Sequence, residues 1–261
     1  MRKNIIGIIG GGNMGEALVK GLYAKHCVHV CESNVPRVKY LRNKYKGIVV
    51  GDLSLVEKAS VIILAVKPQD MEMVLKQIPS GKDRLYISIA AGLTTKFFEK
   101  HLEEKVRVVR AMPNMPALIA EGITGICAGH FAKSTDLKLA QSILSTIGQT
   151  VIVKEPMMDA VTAVSGSGPA YVFLFVEQWI NAAVKLGFDR LQAKQLVYKT
   201  LLGSAHLLQQ SQFDAGELRV KVTSKGGTTQ AAMDVFSKGK FDQLIYKALL
   251  AAKKRAKELA K

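Results

Sequence analysis

The chain has 261 residues, of which 48% are hydrophobic and 22% are charged, a balance typical of a folded globular protein and not of a disordered one. Its three cysteines have no CxxC spacing and its five histidines form no ligand-like pair, so we expect no metal site and no disulfide framework. The formal net charge of +16 permits a nucleic-acid partner, but Lys and Arg are spread along the chain, which favours a solvated surface that attracts anionic substrates.

The compartment is predicted from targeting signals and cysteine usage. No apolar run reaches the roughly 18 residues that cross a bilayer. The basic start MRKNIIGIIGGG is not followed by a small-residue cleavage site. An odd number of cysteines favours a reducing environment. We therefore expect a cytoplasmic protein without a signal peptide, a membrane partner or a nucleic-acid partner.

The first half of the chain alternates short β-branched runs with amphipathic stretches. This order predicts an α/β fold, in which a doubly wound and mostly parallel sheet is covered by helices on both faces. Strands are predicted at Asn4–Ile9, Val28–Cys31, Val61–Ala65, Leu85–Ala90 and Val106–Arg110, and more weakly near Gly125–Ala128 and Val151–Val153. Helices are predicted at Asn13–Lys25, Pro36–Lys44, Asp70–Gln77, Thr94–His101 and Thr135–Ile147.

The stretch GIIGGGNMG, residues 7–15, lies between the first strand and the first helix. Its Gly10, Gly12 and Gly15 form the G-x-G-x-x-G pattern, which lets backbone approach a pyrophosphate at a helix N-terminus. Between a strand and a helix this pattern predicts a dinucleotide site, whereas a glycine-rich turn without a ligand is the alternative. The predicted cofactor contacts here are Ile9, Gly10, Gly11, Gly12, Asn13, Met14 and Gly15.

Further cofactor contacts are expected where later strands end, because ligands of doubly wound sheets bind at the carboxyl ends of the strands. Glu32 follows the second strand and is predicted to hydrogen-bond an adenosine ribose hydroxyl, which slightly favours NADH over NADPH. If Glu32 instead turns into solvent, Ser33, Asn34 or Arg37 is free to take a 2′-phosphate. The other predicted contacts are Ser33, Asp52, Ala65, Val66, Lys67, Pro68, Ala90, Ala91, Gly92, Pro113 and Asn114.

The second half of the chain has almost no strand signal. Residues 157–261 have a helical pattern, which predicts an all-helical domain over 156–261 after a dinucleotide-binding domain over 1–155. Breaks between the helices are predicted at Gly187, Gly203, Gly216, Gly226–Gly227 and Gly239. Within it, VTSKGGTTQ places Gly226 and Gly227 before a new helix, where free N–H groups and the hydroxyls of Ser224, Thr228 and Thr229 could hold a carboxylate. Helix capping without a ligand is the alternative.

A glycine-rich patch, SGSGPA over residues 165–170, opens the first long helix of this half. Such a flexible start predicts that something approaches the backbone closely. One possibility is a flat ligand, and the other is a helix crossing that needs small residues.

Taken together, these motifs resemble pyrroline-5-carboxylate reductase. The matching stretches are GIIGGGNMG, AVKP, IAAG, RAMPN, EPMMDAVTAVSGSGPAYVF and VTSKGGTTQAAM, in that order over nearly the whole chain. The resemblance implies an oxidoreductase that reduces the C=N bond of Δ1-pyrroline-5-carboxylate to L-proline with hydride from NADPH or NADH. It also implies a homodimer formed through the helical domain, assembled in some members into a ring of dimers.

The resemblance assigns roles to residues of the second half. The substrate carboxylate is expected on Gly226, Gly227, Thr228 and Thr229, with Ser224 nearby. Thr229 is expected beside the imine nitrogen as the catalytic residue, although a Thr hydroxyl is too weak an acid to protonate the imine by itself. Ser167 and Glu155 are expected to face the substrate.

The chain departs from the family pattern at several positions. Lys225 stands where Pro is usual, Met115 where Thr is usual, and Asp52 where Asn is usual near the adenosine. Asp52 together with Glu32 reinforces the preference for NADH. Two rival functions remain open at this point: a reductase of a related imine or hydroxy acid, and a catalytically inactive dinucleotide sensor that binds nucleic acid through its basic tail. Lys185, far from the glycine patch, argues against the catalytic lysine of the hydroxy-acid enzymes.

Overall fold

Eight strands form one sheet in the order β3-β2-β1-β4-β5-β6-β7-β8, in a computed structural model that describes residues 5–78, 83–102 and 105–259. β1 to β6 are parallel, β7 is antiparallel to β6, and β8 is parallel to β7. The strand order reverses at β1, which is the third strand from one edge and lies between β2 and β4. The strands are β1 Ile5–Ile9, β2 Cys27–Cys31, β3 Val49–Gly51, β4 Val61–Leu64, β5 Leu85–Ser88, β6 Arg107–Met112, β7 Gly122–Ala128 and β8 Gly148–Ile152.

Eleven α-helices lie in the described part of the chain. They are α1 Asn13–Leu22, α2 Val35–Lys44, α3 Met71–Leu75, α4 Thr95–His101, α5 Ser134–Leu144, α6 Met158–Val161, α7 Gly168–Lys185, α8 Arg190–Gln210, α9 Ala215–Lys221, α10 Thr228–Lys238 and α11 Phe241–Leu259. Short 3₁₀ turns occur at Leu53–Val56, Pro68–Asp70, Met115–Ile119, Ser145–Ile147 and Glu155–Met157, and a π-helical turn covers Thr162–Gly166.

Two apolar cores cover the two faces of the sheet, because side chains of a strand alternate between faces. In β4, for example, Ile63 belongs to one core, while Ile62 and Leu64 belong to the other. All four residues of β4 and of β5 are buried, as expected for strands with helices on both sides. The predicted α/β fold class is confirmed. Asn4, the predicted first residue of β1, lies outside the described residues.

The helical part of the chain is organised differently. Contacts divide the chain into two compact units, one formed by residues 1–169 with 251–261 and the other by residues 170–250. The second unit has a small core in which Val176, Ile180 and Ala183 of α7 meet Ala193 and Val197 of α8. The predicted domain boundary at 155/156 follows secondary-structure content and stays a prediction.

Three details correct the sequence prediction. β3 was not predicted, because VVG offers only three strand residues between a polar loop and Asp52. Gly203 and Gly216, predicted as breaks, lie inside α8 and α9. A single glycine costs a helix only about 1 kcal/mol relative to Ala, so flanking residues can carry the helix through it.

Many apolar side chains of the helices are exposed. Of the 21 residues of α8, only Ala193 and Val197 are buried, and none is buried in α10. Leu186 is 81% exposed and Tyr246 is 67% exposed. The expectation that no stretch is long and apolar enough to cross a bilayer needs correction, because the helical stretch Glu155–Lys185 meets that requirement by length and composition, with a mean hydropathy of 1.2 over an 18-residue window. An apolar surface of this size calls for a covering partner.

Candidate active site

The glycine turn of residues 10–15 connects β1 to α1 at the carboxyl end of the sheet. Gly10 has a φ of +103°, a conformation that side chains rarely adopt, and a Cβ there would lie 2.6 Å from the carbonyl oxygen of Ala65. A Cβ on Gly15 would overlap the carbonyl oxygen of Gly10. Gly12 differs, because a Cβ there would meet no atom within 4 Å. The first and third glycines are therefore required by the turn itself, whereas the second leaves open space.

Gly12 is also the N-cap residue of α1, and no side chain caps this helix. Four other helices are capped by a side chain that accepts a hydrogen bond from a backbone N–H, namely α2 by Asn34, α4 by Thr94, α8 by Asp189 and α9 by Asp214. The helices α3, α5 and α6 resemble α1 in having no such cap, but they do not begin at a glycine. The first N–H groups of α1 thus stay available for an external anion, and the helix dipole favours negative charge there.

A cleft of about 760 Å³ opens beside this turn. Its volume falls within the usual range for ligand pockets, roughly 300–1,000 Å³. Of the predicted cofactor contacts, nine line it: Ile9, Gly10, Gly12, Glu32, Ser33, Asp52, Ala65, Val66 and Lys67. The sequence did not identify eight others: Cys31, Gly51, Leu53, Ser54, Asp70, Met73, Val74 and Gln77. Cys31 and Gly51 end β2 and β3, Leu53 and Ser54 lie in the 3₁₀ turn after β3, and the other four lie between Asp70 and Gln77, in and around α3. The position of the short β3 was the missing signal for the residues that follow it.

The remaining predicted contacts lie outside the lining of this cleft. Gly11, Asn13, Met14 and Gly15 belong to the turn and the first turn of α1, and Pro68 starts the 3₁₀ turn after β4. Ala90, Ala91 and Gly92 follow β5, and Gly92 has a φ of +79°. Pro113 and Asn114 follow β6, where the Asn114 side chain accepts a hydrogen bond from the N–H of Ile123 at 2.9 Å. Asn114 thus holds the adjacent strand β7. These contacts stay predictions.

Both predicted acidic residues of the cleft are bound to backbone N–H groups. Glu32 accepts from the N–H of Gly11 at 2.9 Å with one oxygen and from the N–H of Asn34 at 2.7 Å with the other. Asp52 caps the turn that follows β3, accepting from the N–H and the hydroxyl of Ser54, and these bonds lower the pKa of its carboxyl. Two anions are therefore fixed at the end of the cleft formed by β2 and β3.

Among the described residues that line the cleft, no side chain is an activated nucleophile. Cys31 lines it, but burial, with a smaller contribution from the Asp52 charge, raises the pKa of the thiol to about 12. The thiol is therefore neutral at physiological pH and unreactive. Within residues 5–78, 83–102 and 105–259, no group of three or more His, Cys, Asp and Glu side chains could hold a metal ion.

The second glycine turn, Ser224–Thr229, connects α9 to α10. The N–H of Gly227 donates to the Ser224 carbonyl at 3.1 Å, and Gly226 adopts a φ of +72°. Gly227 is the N-cap residue of α10 and, like Gly12, has no side-chain cap. Thr228 and Thr229 then form the first turn of α10, with Ser224 and Thr228 exposed and Thr229 half-buried. This turn offers backbone N–H groups and three hydroxyls to a small anion.

Glu155 takes part in a network of hydrogen bonds and charges. Its two carboxylate oxygens accept from the N–H and the hydroxyl of Thr95, each at 2.7 Å. Arg110, whose side chain is only 4% exposed, lies 3.6 Å from Glu155 and 3.7 Å from Asp159. Glu155 thus neutralises a buried guanidinium and connects the start of α4 to β6. Its predicted contact with substrate stays a prediction.

The π-helical turn Thr162–Gly166 contains the first two residues of the glycine-rich patch 165–170. The N–H of Ser167 donates to the Thr162 carbonyl at 2.8 Å, five residues back. Gly166 packs on β6, because a Cβ there would lie 2.7 Å from the Met112 methyl, whereas a Cβ on Gly168 would meet nothing within 4 Å. Close packing therefore explains Gly166, while Ser167 ends the π-helical turn and α7 begins at Gly168. Single π-turns within helices are frequent at functional sites.

Comparison with known proteins decides the family. The family model described as pyrroline-5-carboxylate reductase dimerisation matches residues 155–259, and the model described as NADP oxidoreductase, coenzyme F420-dependent, matches residues 5–92. The pyrroline-5-carboxylate reductase of Synechocystis is 40% identical over 263 residues, which cover 98% of this chain and 98% of the relative. That of Mycobacterium tuberculosis is 37% identical over 284 residues, covering 97% of this chain and 96% of the relative.

The chain belongs to the pyrroline-5-carboxylate reductase family.

Solved structures agree with this family assignment. The pyrroline-5-carboxylate reductase of Coxiella burnetii superposes with a TM-score of 0.92 at 38% identity, covering all of both chains. The Plasmodium falciparum pyrroline carboxylate reductase, solved with NADP bound, has a TM-score of 0.86 at 30% identity and covers all of this chain and 99% of its own. The predicted membership of the pyrroline-5-carboxylate reductase family is confirmed.

Proposed function

We propose that this protein reduces the C=N bond of Δ1-pyrroline-5-carboxylate to L-proline with hydride from NADH or NADPH. The observation that carries the proposal is the pair of helices, α1 and α10, that each begin at a glycine without a side-chain cap. One lies beside a cleft large enough for a dinucleotide, and the other follows a short turn with three hydroxyls. A reductase of this imine acid needs one site for a pyrophosphate and one for a carboxylate.

The residues of the first unit bind and orient the dinucleotide. The free N–H groups at the start of α1 receive the pyrophosphate, and the open side of Gly12 lets it approach the backbone. The bound nicotinamide supplies the hydride. Hydride transfer requires short distances and alignment between the nicotinamide and the imine, so the positioning of these two groups contributes a large part of the rate. This requirement fits a cleft whose described lining has no reactive side chain of its own.

The residues of the second turn hold the substrate carboxylate. Gly227, Thr228 and Thr229 present backbone N–H groups, and each charge-assisted hydrogen bond contributes about 1.5–3 kcal/mol. Lys225, in place of the usual Pro, adds a cation beside this site. Thr229 orients a water that supplies the proton, or stabilises an imine already protonated in solution. Ser167 keeps the start of α7 small where the imine ring and nicotinamide stack.

The preferred dinucleotide is NADH. Glu32 and Asp52 are both anchored at the β2 and β3 end of the cleft. A 2′-phosphate about 4 Å from a carboxylate would be repelled by roughly 4 kcal/mol at an effective dielectric constant near 20. Turnover with saturating imine and varied NADH or NADPH tests this preference, and a kcat/KM in favour of NADPH would refute it.

The protein assembles as a homodimer through its helical region, and further assembly into a ring of dimers is compatible with this. The match of residues 155–259 to a dimerisation model and the exposed apolar residues of α8 and α11 support the dimer. A second copy covering this surface also accounts for the apolar stretch Glu155–Lys185 without a bilayer. We place the protein in the cytoplasm, without membrane or nucleic-acid partners. Light scattering of detergent-free protein tests the dimer, and a monomer at micromolar concentration would contradict it.

The reaction itself is tested by following nicotinamide absorbance with purified protein and the cyclic imine. Pyrroline-2-carboxylate and 3-hydroxyisobutyrate serve as competing substrates, because they represent related imine and hydroxy-acid enzymes. We expect oxidation of the reduced cofactor only with pyrroline-5-carboxylate, or at least tenfold faster with it. Equal or faster turnover of either competitor would reject the proposed substrate. A protein that binds dinucleotide but turns over none of the three would reject the proposed enzyme.

A further inference from the structure

A cluster of polar side chains surrounds Glu16, which directly follows the first glycine turn. The Glu16 carboxylate is 15% exposed and accepts hydrogen bonds from Arg37 at 2.5 Å, Lys44 at 2.9 Å, Tyr45 at 2.9 Å and Tyr40 at 3.0 Å. All four donors belong to α2 or to Tyr45, which follows it. The single carboxylate of Glu16 on α1 thus accepts hydrogen bonds from four side chains of α2 and the residue that follows it.

The charge of Glu16 is maintained by this cluster. Burial by itself would raise the pKa of the Glu16 carboxyl, but the hydrogen bonds from Lys44, Tyr45, Tyr40 and Arg37 together lower it to about 2. Glu16 is therefore an anion throughout the physiological pH range. A permanent anion at this position holds a guanidinium strongly.

Arg37 is held between Glu16 and the glycine turn. Its Nε donates to the Gly11 carbonyl at 2.5 Å while its Nη2 donates to Glu16. The N–H of Gly11 donates in turn to Glu32, so Arg37 and Glu32 are attached to the two ends of a single residue. Glu32 and Ser33 line the dinucleotide cleft, but Arg37 does not.

This arrangement bears on the choice of dinucleotide, because an Arg near the acidic residue after the second strand is the usual partner of a 2′-phosphate. Arg37 lies at the start of α2, in the right part of the chain for that role. We propose that Glu16 is a specificity-determining positioning residue, which keeps Arg37 on the glycine turn and away from the adenosine 2′ position. The inference rests on the proposed use of a dinucleotide in this cleft, and it assigns part of the preference for NADH to a residue that does not contact the ribose.

The test measures the dissociation constants of NAD⁺ and NADP⁺ by calorimetry, using the full chain without imine. Glu16→Gln removes the charge but keeps the shape of the side chain, so Arg37 becomes free to turn toward a phosphate. We expect NADP⁺ affinity to rise about tenfold relative to NAD⁺ affinity, the lower end of what one charge-assisted hydrogen bond contributes. In the double variant Glu16→Gln, Arg37→Ala, this gain should disappear.

Two further variants separate this effect from a general one. Glu258→Gln removes the same charge from an exposed pair with Arg255 and should leave the NADP⁺-to-NAD⁺ ratio unchanged. Arg37→Ala in the wild-type background should also leave the ratio unchanged, because Arg37 is already withheld. A loss of NADP⁺ affinity in Arg37→Ala would overturn the proposal even where Glu16→Gln does not fold.

The outcomes are distinguishable. The inference is supported if the ratio of NADP⁺ to NAD⁺ affinity rises in Glu16→Gln and returns to the wild-type value in the double variant. An unchanged ratio in Glu16→Gln with intact NAD⁺ binding overturns it, as does a loss of NADP⁺ affinity in Arg37→Ala, since Arg37 would then already contact the phosphate. A wild-type protein that binds neither dinucleotide overturns the proposed function, and the inference with it.

Discussion

The two glycine turns of this protein have the same local plan but different surroundings. Each contains a glycine that is the N-cap residue of a helix and has no side chain to bond its first N–H groups. This glycine is Gly12 for α1 and Gly227 for α10. In the first turn, neighbouring backbone fills the space beside Gly10 and Gly15. In the second, a Cβ on Gly226 would meet no atom within 4 Å, and Gly227 would meet only Ser224 of its own turn.

The first turn is also fixed from outside by charged side chains. Gly11 donates to Glu32 and accepts from Arg37, and both partners are anchored in turn by other residues. The described hydrogen bonds give the backbone of Gly226 and Gly227 no side-chain partner of this kind. The first turn is therefore held from outside by side chains, whereas the turn at 226–229 is held by its own backbone hydrogen bond and by the start of α10.

The largest expected effect distinguishes the roles of two glycines in the first turn. Gly15→Ala would force a methyl group into the Gly10 carbonyl, so we expect a loss of about 1–3 kcal/mol in the free energy of unfolding together with loss of dinucleotide binding. Gly12→Ala should unfold like the wild type but bind NADH about 100-fold more weakly, because only the pyrophosphate needs that space. Urea unfolding and NADH titration check both. Equal loss of stability in the two variants would contradict the distinction.

The next effect concerns the second turn. Thr229→Ala should lower kcat about 10- to 100-fold, because the hydroxyl orients the proton supply, while the Kd for NADH stays within about twofold. Thr200→Ala is a matched control, since the Thr200 hydroxyl donates to the Leu196 carbonyl within α8. Steady-state kinetics and NADH titration supply the data. Wild-type kcat in Thr229→Ala would remove this residue from the catalytic role.

A smaller effect is expected at Glu155, which belongs to the first unit. Glu155→Ala removes one of the two carboxylates near the buried Arg110, so that only Asp159 remains. It also removes the carboxylate that accepts hydrogen bonds from Thr95. We expect a loss of about 1–3 kcal/mol in the free energy of unfolding. Glu258→Ala breaks an exposed pair and should cost about 1 kcal/mol or less. Thermal unfolding compares the two. A stable Glu155→Ala variant with a strongly raised KM for the imine would show instead that Glu155 acts on substrate.

The smallest expected effect is a pH dependence of the stability that Glu16 contributes by holding Arg37 on the first turn. The pKa of Glu16 is lowered from about 4.5 to about 2 in the folded protein, so the stability it contributes is fully present above pH 5 and is lost as the pH falls from about 4.5 to 2. With allowance for solvent screening this amounts to about 1–2 kcal/mol. In urea unfolding at pH 3 and pH 6, wild type should lose more stability than Glu16→Gln. Parallel pH profiles of the two proteins would contradict the anchoring role.

Sequence patterns predicted the parts of the molecule whose constraints are local. The alternation of strands and helices and the glycine spacing at 10, 12 and 15 arise from sheet burial and from one tight turn, and both are readable along the chain. The cleft was only half predicted, because Met73, Val74 and Gln77 reach it through the packing of α3 beside β4. The bonds of Glu32 and Arg37 to Gly11 and of Glu155 to Thr95 were not predictable either, since each joins residues that lie 21 or more positions apart in sequence.

The most direct test of the account is a crystal structure of the protein with NAD⁺ and L-proline. The account predicts the pyrophosphate within hydrogen-bond distance of N–H groups in the turn of residues 10–15, and the proline carboxylate on N–H groups of Gly227, Thr228 and Thr229. A proline carboxylate bound elsewhere, with the turn at 226–229 making no contact to it, would contradict the assignment of the two turns.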